Sequence, residues 1–228
     1  MEAPARLITQ ALLGLAFLLA VLGAALFGPA GTLDYWQAWV FLAVFASAVL
    51  AITIYLAKRD PALLARRVHG GPLAEPRRGQ QVAQGVASLA FVAVFVVSGL
   101  DHGGGWSCVP VPVVVAGDAL VALGLAVVFL VFRANTFTSA IIAVDREQQL
   151  VTTGPYGVVR HPMYAGALAM MLGVPIALGS WWGLLAVAAL ASAIVWRLLD
   201  EEKLLVASLP GYADYRLCVR YRLVPRVW

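Results

Sequence analysis

The strongest constraint in this chain is a set of long apolar runs: Leu7–Phe27, Trp36–Ala57, Val82–Leu100, Val113–Phe132, Met163–Leu178 and Trp181–Leu199. A helix of about 18 or more apolar residues is long enough to cross a hydrocarbon layer of about 30 Å. Inside that layer no water satisfies backbone N–H and C=O groups, so such runs must be helical. Charged residues make up 12% of the chain, against about 25% in an ordinary soluble domain. The sequence therefore predicts an all-α, polytopic integral membrane helical bundle of about six transmembrane helices, with five as the alternative count. Only Gly179 and Ser180 separate the last two runs, which read as a tight helical hairpin. The first run exceeds the roughly 7–15 residues of a signal-peptide apolar core and reads as an uncleaved helix.

The placement of charge predicts the topology. Lys and Arg fall at position 6, through 58–78, at 133, 146 and 160, and from 197 onward, whereas the loops at 28–35, 101–112 and 179–180 hold none. Six spans put every basic cluster on one side, which the positive-inside rule makes cytoplasmic together with both termini. Five would break the alternation. Topology thus accounts for the net charge of +4, and no nucleic-acid partner is implied. Arg outnumbers Lys 14 to 2, and Ala, Val and Gly abound. That composition fits GC-rich bacterial coding, so the expected location is a bacterial inner membrane. Cys108 falls in an outer loop and Cys218 in the cytoplasmic tail, where they cannot pair. His69, His102 and His161 are scattered, and no metal site is expected.

Two regions differ in character. Residues 1–132 read as N-terminal transmembrane helices joined by plain loops, apart from the basic connector "KRDPALLARRVHGGPLAEPRRGQQ" at 58–81, which suits anionic headgroups. From 133 to 228, polar residues gather at the cytoplasmic helix ends, and the specialised chemistry is expected there.

Four groupings in that second region are candidates. In "GPYGVVRHPMYAG" (154–166), Gly154-Pro155 signals a turn and Pro162 suits the first turn of a helix. His161, before a proline, is pushed towards an extended conformation. Arg160 and His161 are thus aimed at the mouth of the fifth helix, whose unpaired N–H groups suit a carboxylate or phosphate. Tyr164 follows on the first turn; an interfacial belt of Arg and Tyr would share this composition. In "WRLLDEEKLL" (196–205), Arg197 and Glu201 share a helix face and Asp200 follows Arg197 by three. Carboxylates at membrane depth usually face a protein-lined, watery cavity, although a solvated ramp would also fit. The tail 209–228 breaks at Pro-Gly and is rich in Tyr and Arg, which suits a surface-lying amphipathic segment as well. In "RANTFTSAI" (133–141), Asn135 and the hydroxyls are candidate helix caps. Asp101 and His102 are read as outer-loop residues, and the spans as free of midplane charge.

Taken in order, an Asn-x-Phe stretch, "LVTTGPYGVVRHPMYAG", a hairpin, "RLLDEEKLL", "YADY" and "LVP" resemble the isoprenylcysteine carboxyl methyltransferase family and the related membrane phospholipid methyltransferases. The resemblance covers about residues 133–225, and the Arg-His-Pro-x-Tyr plus Glu-Glu combination is its most specific part. It implies methyl transfer from S-adenosylmethionine without a Rossmann fold, and the chain has no G-x-G-x-x-G after a strand. It also implies a methyltransferase core at 133–228. Carried over residue by residue, the cofactor shell is Tyr156, Val159, His161, Tyr164 and Glu202, with Pro162 shaping the turn. Arg197 and Glu201 are the catalytic candidates. The implied acceptor is lipophilic, an isoprenylcysteine-like carboxylate or another lipid carboxylate or amine, entering from the bilayer. Two rivals stand beside it: an NADPH-dependent membrane reductase of the steroid-reductase type, and a non-enzymatic transporter or scaffold. The latter predicts a charged midplane path or a pair of broken helices.

Overall fold

The computed structural model describes residues 2–69, 78–137 and 150–228. Within them lie eight α-helices: α1 (Glu2–Ala30), α2 (Trp36–Arg59), α3 (Pro61–His69), α4 (Arg78–Gly104), α5 (Val111–Ala134), α6 (Pro162–Ala177), α7 (Gly183–Ser208) and α8 (Tyr212–Cys218). A single 3-10 turn, Gly154–Gly157, precedes α6. No strand occurs among the described residues. Five segments are long and apolar enough to cross a membrane: Arg6–Ala30, Trp36–Arg59, Gly79–Gly104, Val111–Ala134 and Gly183–Ser208. The chain is an integral membrane helical bundle.

The remaining expected span, α6, has 16 residues against 26 in α7. At 1.5 Å per residue α6 rises roughly 24 Å, and α7 exceeds it by roughly 15 Å. The two helices meet at one end in a tight turn. Gly179 there has φ +72°, and its N–H and that of Ser180 bond back to Ile176 O and Pro175 O, closing the end of α6. The Ser180 hydroxyl then accepts from Gly183 N at 3.0 Å and caps α7. Because the pair is pinned at that end, the whole length difference falls at the other, where α7 overhangs a recess above the start of α6.

α5 and α6 pack backbone to backbone. Gly117 and Gly124 on α5 face Gly166 and Gly173 on α6. A Cβ added at Gly124 would lie 2.5 Å from Met170 N and 2.6 Å from Gly166 O, and one at Gly173 would lie 2.7 Å from Gly117 O. Small residues that let backbones approach are the usual means of helix association in lipid, where apolar burial alone offers no preference. The main core lies among α1, α2, α4, α5, α6 and α7, around Leu22, Leu26, Phe41, Phe95, Val121 and Val174. Tryptophans 36, 39, 106, 181 and 182 are exposed around the Gly179 end, the position of an interfacial aromatic belt. Lys58, Arg59, Arg133 and Arg160 lie at the opposite, basic end.

Three readings from the sequence change. The connector 58–81 is partly helical: Asp60 caps α3 by accepting from Leu63 N at 2.9 Å, Pro61 occupies its first position, and Leu63 and Leu64 are buried. Residues 70–77 of that connector, and 138–141 of the proposed capping stretch, lie outside the described residues. Asp101 and His102 are not loop residues but belong to the last turns of α4. Asp101 is buried and accepts from Ser107 at 2.7 Å and from Ser180, tying α4 to the α6–α7 turn. His102 stacks on the buried Tyr35 ring, whose hydroxyl donates to Leu178 O at 2.7 Å. One span also carries a buried carboxylate, Asp118 on α5.

Candidate active site

The recess at the start of α6 opens into a cavity of about 740 Å³. That volume lies within the range of small-molecule sites, roughly 300–1,000 Å³. Its polar wall comes from the basic ends of the helices: Tyr156 from the 3-10 turn, His161, Pro162 and Tyr164 from the α6 entry, and Arg197 and Glu201 from the α7 overhang. Phe45, Val49, Phe91, Val92 and Leu125 of α2, α4 and α5 form its apolar wall.

Local sequence explains the polar wall. Pro162 stands at the first position of α6, and His161 before it lies outside the helical region at φ -123°, ψ 62°, short of the extended conformation expected, with no side-chain cap on the helix. The first-turn N–H groups of α6 therefore sit beside the cavity without a capping side chain. His161 Nε2 is buried, 3.5 Å from Glu202 Oε1, and has no hydrogen-bond partner. Tyr164 donates to Glu201 Oε2 at 2.6 Å. Arg197, one turn before Glu201, is buried and donates to Gln84 Oε1 at 2.7 Å, linking α7 to α4. Asp200 accepts from Gln80 at 2.7 Å across the same interface.

Behind the wall, Glu202 is a buried hub. It accepts from Arg160 Nε at 2.6 Å and from Arg222 Nε at 2.9 Å. Arg160 also donates to the carbonyls of Val219 and Arg220, while its backbone N–H and that of His161 pair with Tyr221 O and Arg222 O. The tail is thus stitched across the Arg160–His161 segment. Tyr215, further up the tail, lines the cavity and donates to Tyr156 O at 2.6 Å. Asn135, at the end of α5, donates to the Tyr156 hydroxyl at 3.1 Å. Burial pushes the Tyr156 phenol up; the Asn135 bond opposes this in part, and the Glu201 carboxylate adds to it. Burial likewise pushes Tyr215 up to about 12. Both phenols stay protonated as donors at neutral pH.

Six of the eight residues singled out from the sequence therefore share one cavity wall: Tyr156, His161, Pro162, Tyr164, Arg197 and Glu201. Val159 is buried beside the turn and Glu202 faces Arg160 and Arg222; neither lines this cavity. Arg67 and Gln84 do line it and were not singled out; Tyr212 and Tyr215 of the "YADY" stretch line it too, though the residue pattern assigned them no site role. The Asp-Pro pair that starts α3 was a legible signal for Arg67's helix. Gln84, on an otherwise ordinary span, carried none.

Residues 112–209 match the phospholipid methyltransferase family. The matched segment makes up less than half of the 228-residue chain. It takes in nearly all of α5, the 3-10 turn, α6 and α7, which supply the polar wall. The chain is also 32% identical over 98 residues to the cobalt-zinc-cadmium resistance protein CzcN of Cupriavidus metallidurans. That alignment covers 42% of this chain and 45% of that protein, so the chain spans under half the length of this relative. The apolar residues of α2 and α4, Arg67 of α3 and Tyr212 and Tyr215 of the tail lie outside the matched methyltransferase segment. Among the described residues no group of three His, Cys, Asp or Glu side chains is placed to hold a metal ion.

Proposed function

We propose that the protein transfers a methyl group from S-adenosylmethionine to a lipophilic acceptor at the cytoplasmic face of a bacterial inner membrane. The observation that carries this reading is the two-faced cavity, polar where the family-matched helices begin and end and apolar where it meets α2 and α4. The residues fit the cofactor. The orphaned His161 Nε2 and the uncapped first turn of α6 offer donors suited to its carboxylate. Glu201 offers a negative charge suited to its sulfonium and amino groups. Tyr156 and Tyr164 supply ring faces and hydroxyls on the same wall. Pro162 and Val159 shape the turn, and Glu202 serves the site by holding Arg160 in place.

When bound, S-adenosylmethionine supplies a methyl carbon on a positively charged sulfur; the acceptor's lone pair forms the new bond to it as the carbon–sulfur bond breaks towards sulfur. The protein's part is alignment in line with that bond and exclusion of water. Arg197, fixed by Gln84, orients an acceptor carboxylate, which needs no base. With an amine acceptor, Glu201 or His161 takes the departing proton. The division into an N-terminal part, 1–132, and a methyltransferase core, 133–228, belongs to the same proposal.

The test is a thermal-shift titration of detergent-purified protein with S-adenosylhomocysteine, and with NADPH in parallel. A ligand at about 100 times its dissociation constant adds roughly 2.7 kcal/mol to the folded state. Stabilisation by S-adenosylhomocysteine alone is the expected result. Stabilisation by NADPH alone, or by neither, overturns the proposal.

A further inference from the structure

Arg67 is the charged group on the cavity wall that methyl transfer, as described, leaves without a role. It stands on α3, outside residues 112–209, and lines the same cavity as Arg197 and Glu201. The charge of Arg160 is met by Glu202, and Arg197 lies one turn from Glu201. Arg67 has no carboxylate partner among the described residues; its guanidinium lies 5.2 Å from the centre of the Phe132 ring. A ring face replaces only part of a cation's lost hydration. Burial accordingly lowers the Arg67 pKa from its ordinary value. The planar guanidinium fork matches a carboxylate or a phosphate, two oxygens at a time.

The charges around the cavity lead the same way. Among the described residues, Arg67, Arg160 and Arg197 line the wall against the single carboxylate of Glu201, and Glu202 behind it is shared by Arg160 and Arg222, so positive charge is in excess. S-adenosylmethionine adds more at neutral pH. Like charges repel, so a cationic acceptor is disfavoured and an anionic one is drawn in. The ring beneath Arg67 belongs to an apolar cluster with Leu56, Leu63 and Leu64, and Phe45, Val49, Phe91 and Leu125 line the cavity as well.

We infer that Arg67 recognises the acceptor by gripping an anionic headgroup, carboxylate or phosphate, on an amphiphile whose apolar chain lies along Phe45, Val49, Phe91 and Leu125. The inference rests on the proposed methyltransferase reading for naming this ligand the acceptor. Acceptor choice then depends in part on α2–α4, outside the family-matched segment.

The experiment uses the full chain in a neutral maltoside detergent. The affinities of dodecanoate, dodecyl phosphate, dodecanol and dodecylamine are measured for wild type, Arg67→Gln and Arg67→Lys, with S-adenosylhomocysteine on the same samples. Arg67→Gln should lose tenfold or more in affinity for at least one anionic probe, and Arg67→Lys should recover part of it. Dodecanol, dodecylamine and S-adenosylhomocysteine should change less than twofold, which also reports an intact fold. The anion with the larger loss identifies the headgroup. Retention of both anionic affinities in Arg67→Gln overturns the inference. So does a parallel loss of S-adenosylhomocysteine, which would assign Arg67 to the cofactor. Inorganic phosphate competing as well as dodecyl phosphate would remove the apolar chain from it. If S-adenosylhomocysteine binds none of the proteins while the anionic probes keep their dependence on Arg67, the methyltransferase reading fails and the anion site stands.

Discussion

Glu201 and Glu202 are neighbours in sequence with opposite surroundings. Glu201 faces the cavity and takes one bond from Tyr164, whereas Glu202 is turned behind the wall onto Arg160 and Arg222. Their substitutions should therefore separate. Glu202→Gln leaves Arg160 buried without its counter-charge and should cost about 3–5 kcal/mol of stability. Its melting temperature in detergent should fall, with Glu202→Asp intermediate. Arg197→Ala removes a group that touches the cavity, so turnover should fall about 100-fold through misplacement of the acceptor. The affinity for S-adenosylhomocysteine should stay within roughly twofold, since the proposed role of Arg197 lies with the acceptor and not the cofactor. Equal loss of affinity and turnover in Arg197→Ala would move that residue to the cofactor side. Sequence spacing put Arg197 and Glu201 on one helix face and could go no further. Which of two adjacent carboxylates meets the cavity depends on the rotation of α7 against α4 and α6, which is set by packing.

At the scale of elements, the site depends on the seam between α5 and α6. Backbone contacts at Gly117, Gly124, Gly166 and Gly173 bring the end of α5 and the start of α6 to one place, and with them Asn135 and the His161 turn. Gly124→Ala puts a methyl group 2.5 Å from Met170 N, where nothing flexible can give way. It should destabilise the bundle by about 1–3 kcal/mol or more and lower S-adenosylhomocysteine affinity along with stability. Gly14→Ala on α1, where a Cβ meets nothing within 4 Å, should do neither; thermal melts of the two variants check this. The hairpin was legible because Gly179-Ser180 is a strong turn signal between two apolar runs. The overhang of α7 was not, because an apolar run continues into amphipathic helix without any mark at the boundary. α3 was missed for the converse reason: its two buried leucines are too few to stand out among Pro, Gly and Arg.

Across the whole molecule, polar groups gather at two poles separated by the apolar core. The basic end holds the cavity. The other end holds Asp101, which ties Ser107 and Ser180 together, and Tyr35, which bonds Leu178 and stacks on His102. Asp101→Ala leaves the buried Ser180 hydroxyl and the half-buried Ser107 hydroxyl without their acceptor and should cost about 1–3 kcal/mol, without changing S-adenosylhomocysteine affinity. Because the poles share no partners, the stability losses of Asp101→Ala and Glu202→Gln should add within about 0.5 kcal/mol in the double variant. A larger departure, measured by denaturant unfolding in mixed micelles, would mean that the hairpin transmits strain between the poles.

The sequence alone determined the solvent and the class of structure. Apolar runs long enough to cross a bilayer leave only helices, and the Arg-His-Pro-x-Tyr and Glu-Glu order marks the segment that matches a methyltransferase family. Both are local properties, readable residue by residue. The tertiary structure alone decided how those helices meet. The short α6 beneath a long α7 makes the recess, the tail returns across the Arg160–His161 segment, and α3 brings Arg67 to the same cavity. Those contacts join positions far apart in the chain, and their geometry follows from close packing and buried charge pairing, which no local pattern encodes.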